Sequence, residues 1–338
     1  MRATMINGTR DVSVEELPRP ELEAPTDAII KVVAACVCGS DLWPYRGVVP
    51  VKEPRQMGHE YVGIIEELGS EVTGLEVGQF VVGSFITSDN TCEICRAGYQ
   101  SKCVHAGGVG TAQAQYARIT NAAGTLVATP EYPAEDLIPS LLAASDVLGT
   151  GWFGAVEAHA GPGKTIAVVG DGAVGLLAIL SAKQLGAERI IAFSRHPERQ
   201  ALAREFGATD IIEERGDEGV AKLKELTGGL GAHGVVEAVG TQESIEQALR
   251  SARGGGYLTI LGVAHGVQIS GRELFSRQVH VVAGGAPVRR FLPELIDLIL
   301  ERKINPGRVF TLDLPLEEAP AAYRAMDERT AIKVLLRP

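Results

Sequence analysis

The 338-residue chain is short of positive charge. Lys and Arg total 32 against 42 Asp and Glu, a net charge of −10. That balance argues against nucleic acid or an anionic membrane surface as the main partner. An uninterrupted apolar run is also missing: the most apolar long stretch, residues 165–185, is broken by glycines, Asp171 and Lys183, so no membrane span is expected. The first 20 residues have no apolar core and carry Asp11, Glu15 and Glu16, so no signal peptide is expected. There is no internal repeat and no low-complexity tract. Cysteine is scarce: there are five, and none lies beyond Cys103. So few, so unevenly placed, cannot staple a secreted scaffold. An odd count with close C-x-x-C spacing fits a reducing, cytoplasmic setting.

What is present is glycine, 40 of 338 residues against about 7% in average proteins, and a change of pattern part-way along the chain. At roughly 100–200 residues per domain, two domains are expected. The first 145 or so residues read as short β segments, at 28–35, 61–68, 79–82 and 115–119, with Gly and Pro between them. From about Pro162, short apolar runs alternate with helical stretches: 165–169, 174–185, 190–193, 197–206, 211–212, 219–226, 235–239, 244–252 and 257–261. Such alternation predicts βαβ units and a parallel sheet. Pro197 suits a first helical turn, and Gly186 and Gly207 suit C-terminal caps. The tail reads as helices near 292–301 and 316–327 and a strand at 332–336.

The run 165–169 leads into Gly170-Asp171-Gly172-Ala173-Val174-Gly175 and then a helix. A G-x-G-x-x-G pattern alone is weak, but strand before and helix after is the context a dinucleotide site requires. Gly170 permits the tight turn, Gly172 lets the backbone approach a pyrophosphate, and Gly175 allows close helix–strand packing. The helix N-terminus supplies free N–H groups for the anion. An NAD site usually carries an acidic residue about 20 residues on, for the ribose 2′-hydroxyl. The next strand instead ends in Ser194-Arg195-His196, with Arg199 one turn later. A hydroxyl and guanidinium groups suit a 2′-phosphate, which predicts NADP(H) over NAD(H).

Cys38, in Cys38-Gly39-Ser40-Asp41, is followed 21 residues later by His59, in Gly58-His59-Glu60. Thiolate and imidazole are preferred zinc ligands, and a catalytic zinc keeps three protein ligands and an open position. Gly58-His59-Glu60 with Gly63, Gly69 and Val72, the upstream Cys38-Gly39-Ser40-Asp41, a cysteine lobe near residue 90 and the glycine fingerprint together resemble the zinc-dependent medium-chain alcohol dehydrogenases, along essentially the whole chain.

The resemblance implies an α/β fold. A GroES-like, mostly-β catalytic domain would span 1–148, with 287–338 packing back onto it, and a Rossmann domain with a doubly wound parallel sheet would span 149–286. It implies Cys38, His59 and Asp146 as catalytic-zinc ligands, Glu60 as an adjacent carboxylate, and Ser40 as acceptor of the substrate hydroxyl proton, with Asp41 in support. Thr150 and Val174 would touch the nicotinamide, and Trp43, Phe85 and Trp152 are candidates for pocket walls. Many family members have a histidine three residues after the relay hydroxyl; Trp43 stands there, so the onward proton path is open. The lobe reads Asp89-x2-Cys92-x2-Cys95-x7-Cys103, where the family has four cysteines. Three thiolates and a carboxylate can still complete a tetrahedron, which predicts a structural zinc. Cys36 is left over as a buried thiol. His105, His159, His233, His265 and His280 match no site pattern.

The expected enzyme transfers hydride between NADP(H) and a small alcohol or aldehyde, zinc serving as Lewis acid, in a cleft between the two domains. The aromatic neighbourhood leans toward a primary or aryl alcohol. A polyol or sugar dehydrogenase and a non-catalytic nucleotide-binding sensor are the alternatives; the intact ligands and Ser40 weigh against the sensor. A homodimer or homotetramer is expected from the resemblance.

Overall fold

A computed structural model describes residues 1–338. The chain divides into two units, one of Met1–Gly149 with Pro287–Pro338, the other of Thr150–Ala286.

The first unit opens with β1 (Arg2–Gly8) and β2 (Asp11–Glu16), an antiparallel pair. Its main sheet is built around β3 (Ala28–Val37). The β-branched run Ile29-Ile30, Val32-Val33 suits a pleated strand, and a central strand must bury both faces, which β3 does at nearly every position. A short β4 (Arg55–Gln56) pairs with β1. Beside β3 lies β5 (Tyr61–Leu68), followed in the sheet by β6 (Phe80–Gly83). A small ribbon of β7 (Ile86–Thr87) and β8 (Gly107–Gly108) carries the cysteine-rich lobe between its strands. Then β9 (Tyr116–Ile119) pairs with β3, and β10 (Leu126–Ala128) with β6. The helix Ile138–Ala144 is buried at six of its seven positions. It escapes a reading by periodicity because a helix apolar all round shows no stripe. A second such helix, Val147–Glu157, follows and carries the chain from the first unit into the second.

The second unit is a six-stranded parallel sheet in the order β13-β12-β11-β14-β15-β16. Its strands are β11 (Thr165–Val169), β12 (Arg189–Phe193), β13 (Asp210–Ile212), β14 (Ala232–Glu237), β15 (Ala252–Ile260) and β16 (His280–Ala283). In chain order that is 3-2-1-4-5-6, the doubly wound order whose switch point lies beside the first strand. Helices Ala173–Gln184, Pro197–Glu205, Gly216–Leu226 and Gln242–Ser251 connect the strands. Pro197 opens its helix, and Gly186 and Gly207 follow theirs with φ of 88° and 111°. The third helix starts at Gly216 rather than 219, because Asp217 and Glu218 favour its positive N-terminal end.

The tail returns to the first unit. Helix Val288–Leu300 starts four residues before the sequence pattern shows it. Strand β17 (Phe310–Pro315), a 3₁₀ turn at Leu316–Glu318 with helix Ala319–Asp327, and β18 (Lys333–Arg337) complete it. β18 pairs antiparallel with β3, Val334 opposite Val37, so the last strand of the chain lies against the strand that delivers Cys38.

Candidate active site and second metal centre

Three separate segments of the first unit meet at one point. Cys38 caps the end of β3 and starts the 3₁₀ turn Gly39–Asp41. His59 and Glu60 directly precede β5, and Asp146 sits between two buried helices. Ligand atoms of Cys38, His59, Glu60 and Asp146 lie within 4.8 Å of one another. Asp146 Oδ2 is 3.3 Å from His59 Nε2 and accepts from Cys38 Sγ over 3.8 Å.

Asp41 orients this group. Its Oδ1 lies 3.3 Å from His59 Nδ1, and its Oδ2 accepts from the Cys38 backbone N–H at 2.9 Å. A carboxylate on one imidazole nitrogen fixes which nitrogen faces the metal side, so Nε2 is the outward one, and Ser40 Oγ lies 3.4 Å from it. Gln113 then braces Asp41 from behind with Nε2 at 3.2 Å, and the Tyr323 hydroxyl donates to Gln113 Oε1 at 3.1 Å. Burial pulls the His59 imidazole toward neutrality, but Asp41 and Cys38 outweigh it and raise its pKa well above the ordinary value. A sulfur, an imidazole and a carboxylate whose ligand atoms converge within 4.8 Å form a donor set that fits zinc.

Glu60 is fully buried. Its Oε1 accepts from Lys333 Nζ at 2.7 Å, and Lys333 also donates to the Val37 carbonyl at 3.2 Å. Oε2 of Glu60 has no hydrogen-bond partner. Burial pulls the Lys333 ammonium down, but the acidic groups around it, with Glu60 in direct contact, raise its pKa well above the usual lysine value. Cys36 is fully buried, and burial pushes its thiol well up, in keeping with an inert core cysteine.

The second cluster is local. Ligand atoms of Asp89, Cys92, Cys95 and Cys103 also lie within 4.8 Å of one another. Cys92 caps the helical turn Glu93–Arg96 and accepts from the Cys95 N–H at 3.4 Å. Cys103 Sγ accepts from the N–H of Asp89 at 3.4 Å and of His105 at 3.3 Å. Asp89 Oδ1 accepts from the N–H of Thr91 and Cys92, and its Oδ2 lies 2.8 Å from His105 Nδ1. Burial acts to raise the Asp89 carboxyl, but the Thr91 and Cys92 backbone groups, with His105, bring it well below the usual carboxylate range. N–H groups from Val104 and Cys95 lower the Cys92 thiol. An ionised carboxylate with three sulfurs fits a closed, four-ligand zinc. His105, which matches no pattern in the sequence, is thus a partner of the lobe's carboxylate.

In the second unit, Gly170 has φ 116°, and a Cβ on Gly175 would lie 2.0 Å from the Gly170 carbonyl, so both positions exclude a side chain. Nothing lies within 4 Å of a Cβ at Gly172, which leaves room for a ligand at the N-cap of helix Ala173–Gln184, where no side chain caps the free N–H groups. Val174 is half-buried in the first turn of that helix. Ser194 and Arg199 both engage Asp171 of the glycine turn. Ser194 Oγ donates to Asp171 Oδ2 at 2.8 Å, and Arg199 Nη1 donates to the Asp171 carbonyl at 3.0 Å with its carboxylate at 3.6 Å. Arg195 is exposed. Glu237, at the end of β14, accepts from the N–H groups of Val239 and Gly240 through Oε1 and shapes the neighbouring turn.

Comparison with known proteins agrees with this geometry. Residues 24–131 match the alcohol dehydrogenase GroES-like domain and residues 173–301 the zinc-binding dehydrogenase domain. A zinc-type alcohol dehydrogenase B of Aspergillus flavus is 32% identical over all of this chain and 81% of its own length. The chain belongs to the zinc-dependent alcohol dehydrogenase family. Among solved structures, the alcohol dehydrogenase of Thermus sp. ATN1 superposes with a TM-score of 0.91 at 33% identity, covering 100% of this chain and 99% of that one. A candidate zinc-binding dehydrogenase from Sinorhizobium meliloti 1021, bound to NADP, superposes with a TM-score of 0.84 at 26% identity, covering 100% and 99%.

The other residues that this dehydrogenase's sequence singles out are spread over both units. Phe85 meets the His59 ring edge-on, centroids 6.1 Å apart. Trp43 is half-buried in the turn Leu42–Tyr45. In the second unit, Thr150 is half-buried and Trp152 buried in helix Val147–Glu157. Lys333, Gln113, Tyr323 and His105 escape a sequence reading because each acts through a contact with no local spacing. The one available signal is a lysine inside the apolar strand 332–336.

Proposed function

We propose that this dehydrogenase transfers hydride between NADP(H) and a primary or aryl alcohol, or the matching aldehyde. The observation that carries the reading is the convergence of Cys38, His59 and Asp146 with Ser40 Oγ 3.4 Å from His59 Nε2. This is a three-donor zinc set with a hydroxyl beside it. Zinc held there supplies Lewis-acid polarisation of an alcohol or carbonyl oxygen. The remaining work falls to the chain's own groups. Asp41 keeps His59 aligned, and Ser40 accepts the alcohol proton or returns it to the carbonyl. Gly170, Gly172 and Gly175 admit the pyrophosphate to the helix N-terminus, with Thr150 and Val174 at the nicotinamide. Asp89, Cys92, Cys95 and Cys103 hold a second, structural zinc. Trp43 and Phe85 in the first unit and Trp152 in the second are the candidates for contact with substrate. The enzyme works in the cytoplasm as a homodimer or homotetramer.

Arg195, Ser194 and Arg199 support the phosphate-bearing cofactor, as does the NADP carried by the Sinorhizobium meliloti relative. The Asp171 carboxylate on Ser194 favours a second reading, in which NAD(H) is also used, because a carboxylate accepts from a ribose hydroxyl. One experiment tests both: a panel of alcohols, aldehydes and polyols with NADP and NAD in parallel, following the nicotinamide band at about 340 nm. Turnover of primary or aryl alcohols with NADP at least tenfold better than with NAD is expected. Activity on polyols alone, or with NAD alone, overturns the reading.

A further inference from the structure

The Glu60–Lys333 pair has a role in this site that neither residue's neighbours explain. Glu60 follows a metal ligand in the chain, so the backbone fixes its carboxylate beside the site, within 4.8 Å of the other donor atoms. A tetrahedral zinc that takes four protein ligands is closed, whereas a catalytic one needs its fourth position free. Glu60 is therefore a fourth ligand in waiting. Its Oε2 is buried and unpartnered, and a buried carboxylate oxygen in that condition is stabilised by a cation. Lys333 lies 2.7 Å from its other oxygen, and an ion held by Cys38, His59 and Asp146 would also be within its reach.

Lys333 is held firmly. It begins β18, pairs with Phe310 of β17, and is followed by Val334 opposite Val37 on β3. The main-chain register thus aims its ammonium, which is 1% exposed, at Glu60 and the Val37 carbonyl. The charges also balance. A Cys38 thiolate and the Asp146 carboxylate neutralise a divalent ion, and Glu60 adds one negative charge that Lys333 cancels.

We propose that Lys333 is a positioning residue that holds Glu60 off the metal and so keeps the fourth position open to substrate. This rests on the reading of Cys38, His59 and Asp146 as catalytic-zinc ligands. In Lys333→Met, Glu60 turns to the metal and closes the site.

The test measures zinc release to a chromophoric chelator and, separately, kcat and KM, in wild type, Lys333→Met, Lys333→Arg and Lys333→Met/Glu60→Gln. The Asp89–Cys103 lobe is the internal control, its release phase being unchanged throughout. Lys333→Met is expected to slow release of the other zinc at least tenfold while kcat falls about 10–100-fold, the range for partners just outside the ligands. Lys333→Arg should resemble wild type, and the double variant should recover both the release rate and most of the kcat. If Lys333→Met does not fold, Lys333→Gln, which keeps a donor but loses the charge, must show the same slowing. Zinc released as fast as or faster than from wild type, with no rescue by Glu60→Gln, overturns the proposal. A wild type that holds zinc only in the lobe would instead overturn the underlying reading of the catalytic ligands.

Discussion

The two donor clusters of the first unit are built in opposite ways. Asp89, Cys92, Cys95 and Cys103 come from one 15-residue stretch and are shaped by their own backbone N–H groups. Cys38, His59 and Asp146 come from the end of β3, the entry to β5 and a junction of buried helices, and are braced by Asp41, Gln113 and Lys333 from still other segments. A local cluster needs few fixed dihedrals before its ligands meet, while a dispersed one needs the folded sheet. The first is the kind of set that would close around an ion, as at a structural zinc. The second can leave a position open, because the surrounding fold, and not the ion, holds the donors apart.

The sharpest way to break this contrast is to remove a dispersed ligand. Asp146→Asn is expected to reduce turnover by more than about 100-fold, beyond the range for outer-shell partners, and to halve the zinc content measured by elemental analysis, with the fold retained by circular dichroism. If the chain unfolds instead, the dispersed site depends on its ion as much as the lobe does.

Asp89→Ala is next. It should take the zinc content from about two per chain toward one and lower the thermal midpoint, with near-normal turnover at low temperature. Loss of both ions would show that the clusters are coupled. His105→Ala, which removes only the partner of Asp89, should do less, about a tenfold faster release of the lobe's zinc.

Arg195→Ala lies outside both clusters. It should weaken NADP(H) binding by about 1.5–3 kcal/mol, read by titration of nicotinamide fluorescence, while NAD(H) affinity and zinc content stay unchanged. Equal weakening of both cofactors would remove Arg195 from phosphate recognition.

The smallest effect is expected at a metal-free pair that serves as a baseline. Arg189 donates to both oxygens of Asp210 at 2.8 Å and holds its carboxyl below the usual value. Both side chains are partly exposed, so the pair contributes only about 0.5 kcal/mol. Since the folded pKa is the lower one, that contribution is present above about pH 4 and is lost as pH falls through the depressed folded value. The difference in denaturant midpoint between wild type and Asp210→Asn should therefore shrink to nothing in acid.

Much was legible wherever chemistry follows from spacing. The strand–glycine–helix run at 165–185 gave the nucleotide fold, because G-x-G-x-x-G reports backbone geometry directly, and Gly170 and Gly175 sit where no side chain fits. Cys92, Cys95 and Cys103 announced their lobe because its ligands are neighbours in the chain. The N-terminal hairpin β1–β2 and the helix Ile138–Ala144 were not legible. The hairpin's second strand is largely exposed, without a buried alternation, and the helix is buried on all sides. The contacts of Asp171 with Ser194 and Arg199 were not legible either, since they close only when β11 and β12 lie side by side.

The sequence alone determined the donor types and the glycine turn, because these depend on residue identity and short spacing. The tertiary structure alone decided that Asp41 braces His59, that His105 holds Asp89, and that a lysine near the end of the chain sits 2.7 Å from a carboxylate 273 residues away. Sheet register brings such residues together, and register is set by the packing of whole strands rather than by any residue in the pair.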